Sequence, residues 1–142
     1  IAMKIGSISE NKNAEKRISI TPDIVKKYIS SGFEVFIEKG FGDHLGIKDE
    51  IFLTEGCKIE SKENILKNSD IIVQMNLPDV GDTSLLKENK ILIGNFNSNK
   101  NLETIKKINE KNISVFSLEL LPRITRAQSM DILSSPSEFS WL

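Results

Sequence analysis

Histidine and cysteine are nearly missing from this chain: His44 and Cys57 are single copies among 142 residues. One cysteine excludes an intramolecular disulfide and argues against a cysteine-based structural zinc site. One histidine, on a glycine-flanked loop with no serine marked as its partner, argues against metal chemistry or a Ser-His-Asp hydrolytic site. An excess of charge is missing too. Nineteen Lys and Arg against twenty Asp and Glu give a net charge of -1, which leaves no electrostatic footprint for nucleic acid. Basic residues fall in pairs such as Lys26-Lys27 and Lys106-Lys107, as on solvated helix faces. Neither a membrane-length apolar run nor a signal-peptide pattern is present. There is no internal repeat and no low-complexity linker. The expectation is a soluble, cytoplasmic protein. Ile1-Ala2, ahead of Met3, reads as an added remnant outside the fold.

What is present is a hydrophobic fraction of 39% beside 27% charged residues, at a length that suits one domain. Short apolar strands alternate with amphipathic helices. Met3–Ile8 reads as a strand, and Thr21-Pro22-Asp23 as an N-cap, a first-turn proline and a first-turn acid. The helix that follows stops at Ser31-Gly32. Phe33–Glu38 alternates as a strand, Ile47–Glu55 reads as a short helix, and Cys57–Glu60 as a short strand. Lys62–Asn68 follows as a helix and Asp70–Met75 as a buried strand around Ile71-Ile72-Val73. Thr83–Lys87 is a helical turn or two, Lys90–Phe96 a strand, Leu102–Glu110 an amphipathic helix and Ile113–Leu118 the last clear strand. This order predicts an α/β domain with a mostly parallel sheet and right-handed crossovers.

Two stretches carry candidate chemistry. Gly40-Phe41-Gly42-Asp43-His44-Leu45-Gly46 follows a strand and invites a dinucleotide-loop reading. Its spacing is not G-x-G-x-x-G, Asp43 would set a negative charge beside phosphates, and no strand ending in an acid lies about twenty residues on in the right context. It reads as a glycine-rich connection. The second stretch is Glu119–Ser135, where Thr125 and Gln128 form a capping-box pattern for a helix from about Arg126, framed by Pro122 and Pro136. Gln128, Asp131, Ile132 and Ser135 share a flank of that helix, and Arg123 and Arg126 stand at its entry. Cations sit poorly there unless an anionic partner visits.

Three segments resemble one family. Glu15–Pro22 is similar to the E-x-R-V-A-x-T-P opening of alanine dehydrogenase and the NAD(P) transhydrogenase alpha subunit. Gly32–Val35 with Glu38–Gly42 resembles the family's G-F-x-V-x-x-E-x-G-x-G. Leu121–Ser135, L-P-R-I-T-R-A-Q-S-M-D-I-L-S-S, resembles the transhydrogenase signature almost letter for letter. The resemblance spans Met3 to Ser135. Where alanine dehydrogenases place a substrate-binding lysine and a histidine, this chain has Asn76 and Asn97; Arg17 is retained. Alanine dehydrogenase is therefore the weaker match.

The resemblance implies a Rossmann-like three-layer α/β domain over residues 3–135, the first half of the NAD(H)-binding component of a proton-translocating transhydrogenase. That component would orient the nicotinamide for hydride transfer from NADH to NADP+. It implies catalytic roles for Arg123, Gln128, Asp131 and Ser134, with Arg123, Asp131 and Ser134 also binding cofactor, and no metal. It also implies NADP(H) on a partner component, other transhydrogenase domains or subunits including a membrane component, a homodimer in the full enzyme, and a peripheral place at the inner membrane. Residues 136–142 diverge from the family, and the second NAD-binding domain is expected to be absent. On that basis the chain alone is expected to be inactive and to bind NAD(H) weakly, or only with the second domain. The alternative is a non-catalytic remnant or assembly module of a split or decaying subunit.

Overall fold

The computed structural model describes residues 2–120. Its centre is a six-stranded sheet in the order β3-β2-β1-β4-β5-β6, every pair parallel. The strands are β1 (Lys4–Ser7), β2 (Glu34–Ile37), β3 (Lys58–Ile59), β4 (Ile71–Val73), β5 (Ile91–Gly94) and β6 (Ser114–Ser117). The helices are α1 (Pro22–Ser30), α2 (Asp49–Thr54), α3 (Lys62–Asn68), α4 (Val80–Thr83) and α5 (Leu102–Glu110). This is the Rossmann-like three-layer α/β arrangement, with a sheet wholly rather than mostly parallel.

Period-two alternation divides the apolar residues between the two faces of the sheet. Ile5, Val35, Ile37, Ile71, Val73 and Ile93 meet Ile24, Val25 and Tyr28 of α1 and Phe52 of α2 in one core. Ile72 and Leu92 meet Ile65 and Leu66 of α3 and Ile105 and Ile108 of α5 in the other. Both long helices keep their lysine pairs exposed, as the sequence predicts. Leu102 is the exception on α5: it lies in the first turn and is 50% exposed.

Local signals set the ends of the elements. The Thr21 side chain accepts from Ile24 N with Pro22 in the first turn, so α1 starts where the cap predicts. Ser61 caps α3 in the same way through Asn64 N. The helical turn expected at Thr83–Lys87 instead occupies Val80–Thr83. Asp79, extended after Pro78, opens it, and Asp79 O receives Thr83 N at 2.9 Å. The glycine-rich segment is a connection, as expected. Gly46 takes the left-handed conformation at φ 73° after a 3₁₀ turn at Asp43–Leu45. A Cβ on Gly42 would come within 2.9 Å of Ile47 O and 3.0 Å of Phe52. These glycines serve a tight turn and close packing over α2.

Candidate functional site at the carboxyl ends of β1 and β4

Chain direction reverses across the sheet between β1 and β4. From β1 the chain moves out to β2 and β3, then returns through α3 to β4 on β1's other side. At such a switch point the loops leaving the two strands diverge and open a crevice beyond their carboxyl ends. Here it is a cleft of about 440 Å³, lined among others by Ile8, Glu10, Glu15, Lys62, Gln74 and Asn76.

Its floor is a buried polar network. Gln74 is 1% exposed, and its side chain continues the sheet ladder where the backbones part. Oε1 accepts from Ile8 N at 2.8 Å, and Nε2 donates to Ile8 O at 3.1 Å. The hydroxyls of Ser7 and Ser19, both fully buried, lie 2.6 Å apart and 2.6 and 2.9 Å from Val73 O. Ser19 lies at the far end of the β1–α1 loop, so the network ties both ends of that loop to β4.

The wall is held by carboxylates. Glu10 accepts from Met75 N at 2.8 Å, from Asn76 N at 2.7 Å and from Asn76 Nδ2 at 3.2 Å. The same Nδ2 donates to Glu15 at 2.9 Å, so one amide bridges two carboxylates. Glu15 takes Arg17 Nε and Nη2 in a two-point pair, each at 2.9 Å. The Arg17 donors hold the Glu15 carboxyl down to about 2. Burial pushes Glu10 above the usual carboxylate range despite its three N–H donors. Two further ties fasten the loop: Lys12 donates to Gly40 O, and His44 Nε2 donates to Lys16 O at 2.9 Å.

Chemically the crevice suits a neutral or cationic group. Arg17 is committed to Glu15, and Lys62 lies 3.6 Å from Asp82. A pyrophosphate does not fit these described residues. Thr21 and Pro22 occupy the first turn of α1, and no glycine turn opens its N-terminus. Among the described residues no group of three or more His, Cys, Asp or Glu could hold a metal ion. Cys57 is buried, which pushes its thiol up to about 12 and leaves it inert.

Of the residues singled out in the sequence, Asn76 and Arg17 meet through Glu15. Asn97 is instead a left-handed turn residue at φ 48°, its carbonyl receiving Lys100 N and Asn101 N. Arg123, Gln128, Asp131 and Ser134, with the capping box at Thr125, lie outside the described residues. The described chain stops at Leu120, after β6 and a 3₁₀ turn, at the carboxyl edge of the sheet where the crevice opens. Sequence reasoning passed over Glu10, Ser7, Ser19 and Gln74. A glutamine ending the apolar run 71–73 was the one signal that pointed there.

Comparison with known proteins gives a consistent picture. The family model described as "Alanine dehydrogenase/PNT, N-terminal domain" matches residues 6–140. An NAD(P) transhydrogenase alpha-subunit protein of Rhodospirillum rubrum is 33% identical over 144 aligned residues, covering 97% of this chain and 38% of that protein. The protein of the same name from Rickettsia prowazekii is 36% identical, covering 95% and 37%. Among solved structures, a transhydrogenase from Sinorhizobium meliloti superposes with a TM-score of 0.80 at 32% identity, over 91% of this chain and 39% of that one. The chain thus spans less than two-fifths of the length of each.

Proposed function

This chain belongs to the alanine dehydrogenase/PNT N-terminal domain family, and from that premise we propose that it is the first half, residues 3–135, of the NAD(H)-binding component of a proton-translocating NAD(P)+ transhydrogenase. The carrying observation is the identity of 33–36% to transhydrogenase alpha-subunit proteins over nearly the whole chain. Its role is to orient the nicotinamide ring while hydride passes from NADH to NADP+ held on another component. Hydride transfer needs no general base, so the protein's task is to align two rings and fix the charge around them.

The signature residues suit that task. Asp131 and Ser134 hydrogen-bond the carboxamide and set the rotation of the ring. Arg123 contacts ribose or phosphate as a fixed cation, and Gln128, both donor and acceptor, bridges towards the second nucleotide. The resemblance of Leu121–Ser135 to the transhydrogenase signature supports these roles. Among the described residues the crevice offers no phosphate grip, which supports a second, nucleotide-holding half outside these 142 residues. Alone, the chain then binds NAD(H) weakly. Its partners are that half, a membrane component beside which it sits peripherally, and a second copy in the full enzyme.

An amino- or oxo-acid dehydrogenase role is disfavoured, because Arg17 is taken up by Glu15 and Asn76 holds two carboxylates. The test is Asp131→Asn and Arg123→Ala in the assembled enzyme. Each is expected to slow single-turnover hydride transfer by roughly a hundredfold or more, with the melting temperature unchanged. Wild-type transfer rates in both variants contradict the proposal.

A further inference from the structure

Register sets Lys4 and Gly6 of β1, Glu34 and Phe36 of β2 and Lys58 of β3 on the face of the sheet that α3 crosses. At Gly6 the helix comes very close, since a Cβ there would lie 2.7 Å from the Ile65 side chain. Beside that contact a pocket of about 170 Å³ stays open between α3 and the strands, with Phe36 and Ile65 as its apolar walls. Lys4 Nζ lies 6.0 Å from the centre of the Phe36 ring and has no acidic partner among the described residues. Glu34, directly across from Lys4, is taken instead by Lys58 Nζ at 3.1 Å. Ser69 also lines the pocket. It is 1% exposed, and its hydroxyl has no hydrogen-bond partner among the described residues. A buried hydroxyl left unpaired costs free energy that a ligand acceptor would remove.

We propose that this pocket binds a planar monocarboxylate of one ring, with the ring against Phe36 and the carboxylate between the Lys4 ammonium and the Ser69 hydroxyl. Asp70 N donates to Lys4 O at 2.8 Å, which holds Ser69 beside Lys4. The end of α3 would repel an anion, but Lys90 donates to Ser69 O and offsets that charge. The one carboxylate lining the pocket, Glu60, accepts from Asn64 Nδ2 at 3.3 Å. A space of this volume takes a benzene-sized ring with a small substituent. Offset stacking on Phe36 and a charge-assisted bond to Lys4 together select a flat anion over a cation or an aliphatic chain. The pocket shares no lining residue with the crevice, so this site goes beyond the nicotinamide role and stands without it.

Benzoate titrated into the 142-residue chain, with amide shifts followed by NMR, tests the site. The expected result is saturable shifts at Lys4, Phe36 and Ser69 with a Kd of roughly 0.1–5 mM, as a ligand of that size permits. Benzamide keeps the ring without the charge, and acetate keeps the charge without the ring. Each is expected to bind at least about fivefold more weakly than benzoate. Lys4→Met leaves the backbone bonds to Asp70 in place and is expected to weaken benzoate at least about fivefold with the fold intact. No saturable shift at these three residues up to about 20 mM benzoate overturns the proposal. Equal binding of benzamide or acetate overturns it too, as does an unchanged benzoate affinity in Lys4→Met.

Discussion

Gln74 shows what one side chain contributes here. Gln74→Leu keeps the volume but strands Ile8 N and Ile8 O and removes a partner of the Ser7 hydroxyl. Leaving buried groups unpaired is expected to cost about 2–4 kcal/mol in urea denaturation, with a companion Gln74→Glu no better. Glu15 carries the acid response. Its folded pKa is depressed to about 2 by Arg17, so its stabilising effect is full above the unfolded value. That effect is lost as pH falls from near 4.5 towards 2. The Arg17 side chain is 63% exposed, so solvent screening limits the pair to about 1 kcal/mol or less. Glu15→Gln should flatten the stability curve in that window, while an unchanged curve contradicts the assignment. At this scale the sequence was only partly legible. Asn76 stood out as a missing cation, but its bridging of Glu10 and Glu15 depends on two loops some 60 residues apart meeting at a strand end.

Elements were far more legible, because caps and periodicity act locally. Lys62–Asn68 and Leu102–Glu110 run over the residues the sequence predicts, the first of them opened by the Ser61 cap. The misplaced element was α4, which is four residues long and so lacks the full turns that make a period visible. Glycines give the sharpest test of how elements meet. A Cβ on Gly94 of β5 would lie 2.4 Å from Gln74 O and 2.2 Å from the Phe96 ring, so Gly94→Ala should destabilise by about 1–3 kcal/mol or more. Gly81, inside α4, has nothing within 4 Å of its Cβ position. Gly81→Ala is expected to be neutral or stabilising by up to about 1 kcal/mol, through helix propensity and a less flexible unfolded chain. Equal effects at both sites in thermal denaturation contradict the packing described.

For the whole molecule, strand order places the site. An all-parallel sheet with its switch point between β1 and β4 opens its crevice at the carboxyl edge, where the described chain also stops before Leu121–Ser135. The parallel α/β class was legible from alternating strands and helices. That crevice residues neutralise one another's charges was not, since pairing partners such as Glu15 and Asn76 follow from topology rather than spacing. The proposed role of this domain is to supply the nicotinamide wall of a transhydrogenase. It is tested most directly by replacing the matching stretch of the Rhodospirillum rubrum subunit with residues 6–140 of this chain. The reconstituted enzyme is then assayed for hydride transfer from NADH. The expected result is transfer within about tenfold of the parent rate, a barrier change of roughly 1.4 kcal/mol. A folded chimera that binds NADH yet transfers no hydride would contradict it.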